Sequence, residues 1–155
     1  MKLRCACLGD APLLYEIRNH PDVRRWCLSP EEIAFDTHVA WLASCLQSQE
    51  FALWIASEQD ADVGYVRAFY DDRHVCTLSY AVHPDHQGRG VATDMVAGAL
   101  KLLQDQRVRV VHAQVKRENQ WSRHLLTSLG FRQGRGELLL LRLREEEACK
   151  RQAAP

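Results

Sequence analysis

The residues whose chemistry is easiest to interpret lie in one stretch, residues 79–95, with the sequence S-Y-A-V-H-P-D-H-Q-G-R-G-V-A-T-D-M. The pattern predicts a strand, a tight glycine loop and then a helix. The first N–H groups of a helix have no partner within the helix, and the helix dipole places partial positive charge at that end. Gly88 and Gly90 carry no Cβ, so the loop backbone can approach a ligand closely. The stretch therefore predicts a site for an anion such as a phosphate.

A second group of polar residues follows the next predicted strand, residues 108–115. Asn119, Ser122 and His124 lie where this strand leads into another helix. If this strand and the strand ending at Val82 are parallel neighbours, the helix between them crosses over in the right-handed sense. A crevice then opens beyond the carboxyl ends of the two strands, which is where open α/β sheets bind ligands. The pattern places Asn119 and Ser122 across that crevice from the glycine loop.

The elements that must position these residues follow a regular order along the chain. The predicted order is strand, two helices, three strands in a meander, helix, strand, helix and a terminal hairpin. A serine, a proline and two glutamates at residues 29–32 predict the start of the second helix, since these residues suit a cap and a first helical turn. The predicted strands comprise residues 2–8, 51–56, 63–69, 75–82 and 108–115, with the hairpin at 131–135 and 138–143.

Composition restricts the classes of protein that fit. The 155 residues suit one domain at residues 1–145, followed by a polar tail at 146–155. Lys and Arg number 20 and so do Asp and Glu, and no basic stripe indicates a nucleic-acid partner. No apolar run of about 20 residues predicts a membrane span. Six cysteines without a C-x-x-C pair predict buried free thiols, no metal site and a cytoplasmic location.

Three motifs together resemble the GNAT superfamily of acyl-coenzyme A-dependent N-acyltransferases. They are V-H-P followed by Q-G-R-G-V-A at residues 87–92, then Asn119, then L-G-F at residues 129–131. The resemblance implies an α/β fold of the α+β type. It has a mixed, mostly antiparallel sheet of about seven strands, a parallel pair at the centre and about four flanking helices. It also implies acetyl-CoA as the co-substrate and a transferase reaction on an amine.

The resemblance also implies which residues hold the cofactor. The pyrophosphate suits the N–H groups at the start of the helix. The amides of the pantetheine arm can pair with strand backbone near Tyr80, where a backbone N–H can polarise the thioester carbonyl. The residues predicted to bind the cofactor are Ala81, Val82, Gln87, Gly88, Arg89, Gly90, Val91, Ala92, Thr93, Asn119 and Ser122.

The catalytic groups are less clearly marked, because the usual family residues are missing. A Tyr often protonates the leaving thiolate, and the matching position here is Leu126. A Glu base often lies on the fourth strand, where this chain has Cys76 and Thr77. Another group, a water relay, or positioning alone must then do this work. The candidates are Tyr80, Ser122 and His124, with His124 expected to face the acceptor; His74 and His83 are further candidates.

The first half of the chain contains segments that indicate which molecule accepts the acetyl group. Its segments R-N-H-P-D-V-R-R-W, H-V-A-W-L and V-G-Y-V-R resemble a GNAT branch that acetylates the 4-amino group of nucleotide-linked deoxy-sugars. In that case Arg18, Arg24, Arg25 and Arg67 would meet the diphosphate. Protein N-termini and small amines stay open as acceptors, and so does a non-catalytic acyl-CoA-binding module. A terminal hairpin or an edge strand offers a surface for a homodimer, but no residue requires one.

Overall fold

A computed structural model describes residues 1–71 and 74–143 of the chain. The strands form a seven-stranded sheet in the order β1-β2-β3-β4-β5-β7-β6, in which β4 and β5 are parallel and the other pairs are antiparallel. This confirms the predicted mixed sheet with its parallel pair. The strands are β1 Lys2–Cys5, β2 Phe51–Glu58, β3 Ala61–Tyr70, β4 Val75–Val82, β5 Val110–Gln114, β6 Arg132–Gln133 and β7 Leu138–Arg142.

Helices cover both faces of this sheet. One is a single turn of four residues, α2, so the described residues hold five α-helices where about four were expected. The helices are α1 Ala11–Asn19, α2 Pro21–Arg24, α3 Phe35–Gln47, α4 Val91–Asp105 and α5 Gln120–Ser128. Single 3-10 turns, Leu8–Asp10 and Pro84–His86, precede α1 and the glycine loop.

The sheet separates two hydrophobic cores. The larger core lies under α4 and α5 and includes Met95, Leu103 and Leu126, all fully buried. The smaller core lies under α1 and α3 and is built around Ile17 and Leu42, also fully buried. Because successive residues of a strand point to opposite faces, β4 contributes alternately to the two cores.

The predicted start of the second helix at residues 29–32 is wrong, since α3 begins only at Phe35. The side chain of Asn19 explains the difference. Its Nδ2 donates to the Ile33 carbonyl at 2.8 Å, and its Oδ1 accepts from the Ile33 N–H at 3.0 Å. These bonds hold the segment before α3 in extended form against the end of α1, so a tertiary contact overrides the local signal.

The cysteine prediction is correct only in part. The five cysteines in the described residues are free, but Cys5 and Cys7 are exposed and only Cys76 is buried. The sixth cysteine and the predicted tail at residues 146–155 lie outside the described residues. Within those residues, no helix has the length and apolar character to span a bilayer.

Candidate active site

Strands β4 and β5 pair over only the first part of β4. The pairs are Val75 with Val110, Cys76 with Val111 and Thr77 with His112. Beyond Thr77, β4 continues to Val82 along β3 alone. The opposite backbone edge of β4 therefore borders an opening between the two parallel strands. A ligand that carries amides can pair with such an edge as an added strand does.

The glycine loop lies at the end of this opening. Gly88 and Gly90 have φ angles of +77° and +80°, and a Cβ built on either glycine would have no atom within 4 Å. These values show that backbone conformation requires glycine, and that the space above the loop is open. The C=O of Gly90 accepts from the Thr93 N–H at 2.9 Å. The N–H groups before Thr93 have no partner within the helix, so they are donors for an anion.

A side-chain hydrogen bond from Gln87 joins the loop to the strand that precedes it. Its Nε2 donates to the Val82 carbonyl at 3.1 Å. This bond fixes the position of the loop relative to the end of β4. The open loop, its free N–H groups and the exposed strand edge suit a ligand with a pyrophosphate and an amide-bearing arm, which is the chemistry of coenzyme A.

Asn119 begins the helix on the other side of the opening. It is only 8% exposed, and its Oδ1 accepts from the Ser122 N–H at 3.2 Å. Asn119 therefore caps α5, a structural role that its position before the helix could have indicated. Within the described chain, the amide N–H groups of Asn119 form no hydrogen bond.

Tyr80 lies on β4 beyond the last residue paired with β5. Its Oη is buried and has no hydrogen-bond partner in the described chain. Burial raises the pKa of Tyr80, and the nearby Ser122 side chain opposes this shift without reaching hydrogen-bond geometry. The structure thus brings together two of the three predicted catalytic residues, one from each side of the opening.

The other candidate residues lie elsewhere or have other roles. His124 is exposed on α5, across the sheet from α1 and α3. His74 lies at the far end of β4 from the glycine loop. His83 Nε2 lies 3.4 Å from the carboxylate of Glu16, and its Nδ1 accepts from a backbone N–H in the 3-10 turn that follows. These three histidines therefore do not join Tyr80 and Ser122.

The positions that hold the usual family acid and base are chemically inactive here. Leu126 is fully buried in the larger core. Burial, with a smaller effect from Asp71, raises the pKa of Cys76 to about 12, so its thiol stays neutral at physiological pH. Thr77 is exposed at the start of the opening, and its hydroxyl is no base.

Arg67 lies on the sheet face that α1 and α3 cover, beside Trp41 of α3. It is paired in register with Ser79, and its Nε donates to Ser79 Oγ. Its guanidinium lies 5.9 Å from the ring centroid of Trp41, within cation–π range. Trp41 is 37% exposed. One helical turn earlier, the His38 ring lies 5.5 Å from the Trp41 ring.

Arg18 reaches the same region from α1. Its Nη2 donates to the Ser29 carbonyl at 2.6 Å, while its Nη1 is buried without a partner. His38 Nε2 is also buried without a partner within the described residues. Burial, and then the charge of Arg18, lowers the pKa of His38, so its ring is neutral at pH 7.

The charges of the two guanidinium groups both act on Tyr65, a buried residue of β3. Burial raises the pKa of Tyr65, and the charges of both Arg67 and Arg18 oppose the shift. We call these residues the Arg18–Arg67 cluster; its members are Arg18, His38, Trp41, Tyr65 and Arg67. His38 and Trp41 are three residues apart on α3 and therefore lie on one face of that helix.

The structure divides the four arginines that were predicted to contact a diphosphate. Arg24 and Arg25 have acidic neighbours, Glu32 and Asp22, each at 3.4 Å. Arg18 and Arg67 form no ion pair with any described residue. Two positive charges at the cluster therefore lack a carboxylate to balance them.

A shallow depression of about 450 Å³ lies beside the start of α5 and the β6–β7 turn. It is lined by Arg117, Gln120, Arg123, Gln133, Gly134 and Gly136. None of the glycine-loop or cluster residues lines it. Among the described residues, no group of three or more His, Cys, Asp or Glu side chains is placed to hold a metal ion.

Known proteins share both the sequence pattern and this architecture. Residues 1–132 match the profile of the family described as "Acetyltransferase (GNAT) domain". The chain is 28% identical over 137 residues to the L-amino acid N-acyltransferase MnaT of Escherichia coli K12, covering 84% of this chain and 79% of that protein.

Two solved structures have the same fold. One is the ribosomal-protein-alanine N-acetyltransferase of Brucella melitensis, with a TM-score of 0.73, 24% identity and coverage of 90% of this chain and 97% of that one. The other is the spermidine N-acetyltransferase of Vibrio cholerae in complex with CoA and spermine. Its TM-score is 0.82, its identity 18%, and coverage is 91% of this chain and 94% of that one.

The chain therefore belongs to the GNAT acetyltransferase family. It is an acetyl-CoA-dependent N-acetyltransferase, and acetyl-CoA is its co-substrate.

Proposed function

We propose that the chain acetylates the primary amine of a small molecule that enters from the face covered by α1 and α3. The observation that carries this proposal is the opening between β4 and β5, which has the glycine loop at its end and Arg67 bonded to Ser79 on the part of β4 that does not pair with β5. Donor and acceptor can then approach the same stretch of β4 from different directions.

The donor site comprises the loop and the strand edge. The N–H groups around Gly88, Gly90 and Val91 hold the pyrophosphate. The backbone of Ala81 and Val82 pairs with the pantetheine amides, and Asn119 offers its amide N–H groups from α5. Acetyl-CoA supplies the acetyl group as a thioester.

Tyr80 provides the proton that the leaving thiolate needs. The acceptor amine must be neutral to attack the thioester carbonyl; a C–N bond forms and the C–S bond breaks. The Tyr80 hydroxyl gives its proton to the sulfur, and the proton released from the nitrogen returns to the phenolate through Ser122. Because burial raises the pKa of Tyr80, its hydroxyl keeps this proton at neutral and mildly alkaline pH.

Steady-state kinetics of Tyr80→Phe test this role. We expect kcat to fall about 100-fold, the usual size of a general acid-base effect, with the KM for acetyl-CoA nearly unchanged. The free energy of unfolding should not fall, because the substitution removes a buried hydroxyl that has no partner. Tyr70→Phe is the matched control, since Tyr70 Oη donates to Gln106 Oε1 at 2.5 Å on an exposed part of the molecule. An unchanged kcat in Tyr80→Phe would show that Tyr80 is not the acid.

The acceptor is tested with a panel of amines. L-amino acids come first, because MnaT is named as an L-amino acid N-acyltransferase; nucleotide-linked 4-amino-sugars, N-terminal peptides and polyamines follow. Thiol release that requires the added amine identifies catalysis. A protein that binds CoA but releases no thiol with any amine is instead the non-catalytic module.

A further inference from the structure

We propose that Arg18 and Arg67 bind an anionic group, a carboxylate or a phosphate, on the acceptor molecule. The inference rests on the proposed function, because it assumes that the acceptor amine enters on this face. It adds a chemical requirement that the family assignment does not contain: the acceptor must carry a negative charge close to its amine.

The first argument concerns unsatisfied charge. Arg18 Nη1 is buried, and the neighbouring His38 Nε2 is buried as well; neither has a partner in the described chain. A buried donor without a partner is costly, and more so when it is charged. An oxyanion between these groups would satisfy Arg18, whose guanidinium fork matches carboxylate and phosphate oxygens.

The second argument concerns preorganisation. Arg67 is held by its bond to Ser79 Oγ and by the Trp41 ring, so little side-chain freedom is lost on binding. That contact uses Nε, and the two terminal nitrogens of Arg67 form no hydrogen bond or ion pair with the described residues.

The third argument concerns position. Ser79 lies on β4 two residues beyond Thr77, the last residue that pairs with β5. Two residues of a strand span about 7 Å. An anion held by Arg67 therefore places the rest of a small acceptor near the start of the opening. A carboxylate of an amino acid and a phosphate of a nucleotide-linked amino-sugar both fit this requirement.

Matched acceptors distinguish these sources and test the charge requirement. Each pair has the same amine with and without the anion: L-leucine against isoamylamine, and a nucleotide-linked 4-amino-sugar against the free amino-sugar. We expect wild-type kcat/KM to favour the anionic member of at least one pair by roughly 100-fold, the effect of two charge-assisted contacts. The pair that shows the preference identifies carboxylate or phosphate.

Arginine variants then assign the preference to residues. Arg67→Gln and Arg18→Gln should each reduce the preference about 10-fold or more, while kcat/KM for the neutral amine changes less than about threefold. Arg67→Lys keeps the charge but not the guanidinium fork, so its preference for the anionic acceptor should lie between those of the wild type and Arg67→Gln. This variant keeps the test decisive if a glutamine variant folds poorly. Arg142→Gln, an exposed arginine at the end of β7, is the control and should change nothing.

Calorimetric titration with the N-acetylated form of the preferred anionic acceptor provides a readout independent of turnover. The affinity of the protein for this product should fall in Arg18→Gln and Arg67→Gln but not in Arg142→Gln. Equal use of both members of each pair, or equal loss of both in the variants, would overturn the inference while leaving the proposed function intact. If no amine is acetylated, the proposed function fails, and unchanged binding of the product analogue by the variants would overturn the arginine site as well.

Discussion

At the scale of single residues, Asp10 ties the N-terminal strand to the first helix. Its two carboxylate oxygens accept from both terminal nitrogens of Arg4 at 2.9 and 2.8 Å, and Oδ2 also accepts from the Cys7 N–H at 2.8 Å. The Arg4 guanidinium is the largest cause of the lowered pKa of Asp10. A carboxyl whose pKa is lower in the folded state stabilises that state when it is ionised.

The pH dependence of stability follows from this sign. The contribution of Asp10 is fully present above its unfolded pKa of about 4, and it is lost as pH falls through the lower, folded value. We expect Asp10→Asn to lower the free energy of unfolding at pH 7 by about 2 kcal/mol and by progressively less below pH 4. Urea titrations from pH 2 to 8 would measure this convergence.

Asp105→Asn is the control for Asp10, because Asp105 is exposed at the end of α4. Asp105→Asn should show the same dependence of the free energy of unfolding on pH below pH 4 as the wild type. A constant difference between Asp10→Asn and the wild type across this range would contradict the linkage to Arg4.

Single residues also differ in how far their roles could be predicted from the sequence. The glycines of the loop could be identified because a positive φ and an open approach leave few alternatives to glycine. The bond from Asn19 to Ile33 and the grouping of Arg18 with Arg67 could not be identified. Each joins residues that only the tertiary fold brings together, and the local pattern carries no trace of the partner.

At the scale of elements, alanine substitutions can separate the effect of backbone strain in the glycine loop from the effect of lost ligand contact. Gly88 and Gly136 both have positive φ, +77° and +62°, and a Cβ on either would meet nothing within 4 Å. Alanine at either position should therefore cost a similar amount, about 1 kcal/mol, through backbone strain alone. Only Gly88 lies in the predicted pyrophosphate site.

Calorimetric titration with coenzyme A should therefore distinguish Gly88→Ala from Gly136→Ala. We expect the Kd for coenzyme A to rise at least about 10-fold in Gly88→Ala, because a Cβ would enter the space that the pyrophosphate needs. Gly136→Ala should keep the wild-type Kd at a similar loss of stability. Equal affinities in the two variants would place the pyrophosphate elsewhere.

Element order was the part of the fold that the sequence predicted best. Periodicity and glycine punctuation determine where α4 and its flanking strands lie, and these strands define the crevice. Strand β4 stops pairing with β5 after Thr77. No residue of β4 marks that change, so the element order predicted a crevice beyond the strand ends but not where the pairing of β4 with β5 stops.

At the scale of the whole molecule, the sheet consists of two parts joined at a narrow contact. Among the described residues, the four-stranded part β1–β4 pairs with the three-stranded part β5-β7-β6 through the three parallel residue pairs at the start of β4. The larger core under α4 and α5 also spans both parts. A ligand that enters the opening and contacts α4, β4 and α5 would therefore connect the two parts.

Coenzyme A should stabilise the folded chain through this connection. At a free concentration of 100 times Kd, binding contributes about 2.7 kcal/mol, which corresponds to a rise in Tm of roughly 5–11 °C for a domain of this size. Pantetheine lacks the pyrophosphate and should shift Tm less at the same concentration, since it leaves the N–H groups of the glycine loop without a ligand. Differential scanning fluorimetry measures both shifts.

Hydrogen exchange determines whether the stabilisation spans the molecule. If coenzyme A connects the two parts of the sheet, amide protection should rise in β5 and β7 as well as in β4 and the start of α4, because opening of either part then requires loss of the ligand. The matched experiment with Gly88→Ala at equal ligand concentration should show about half the gain, since a 10-fold weaker Kd leaves about 1.4 kcal/mol of the roughly 2.7 kcal/mol of stabilisation. Protection confined to the glycine loop and α4 would mean that the ligand contacts one part alone, and the proposed position of the pantetheine arm along β4 would be wrong.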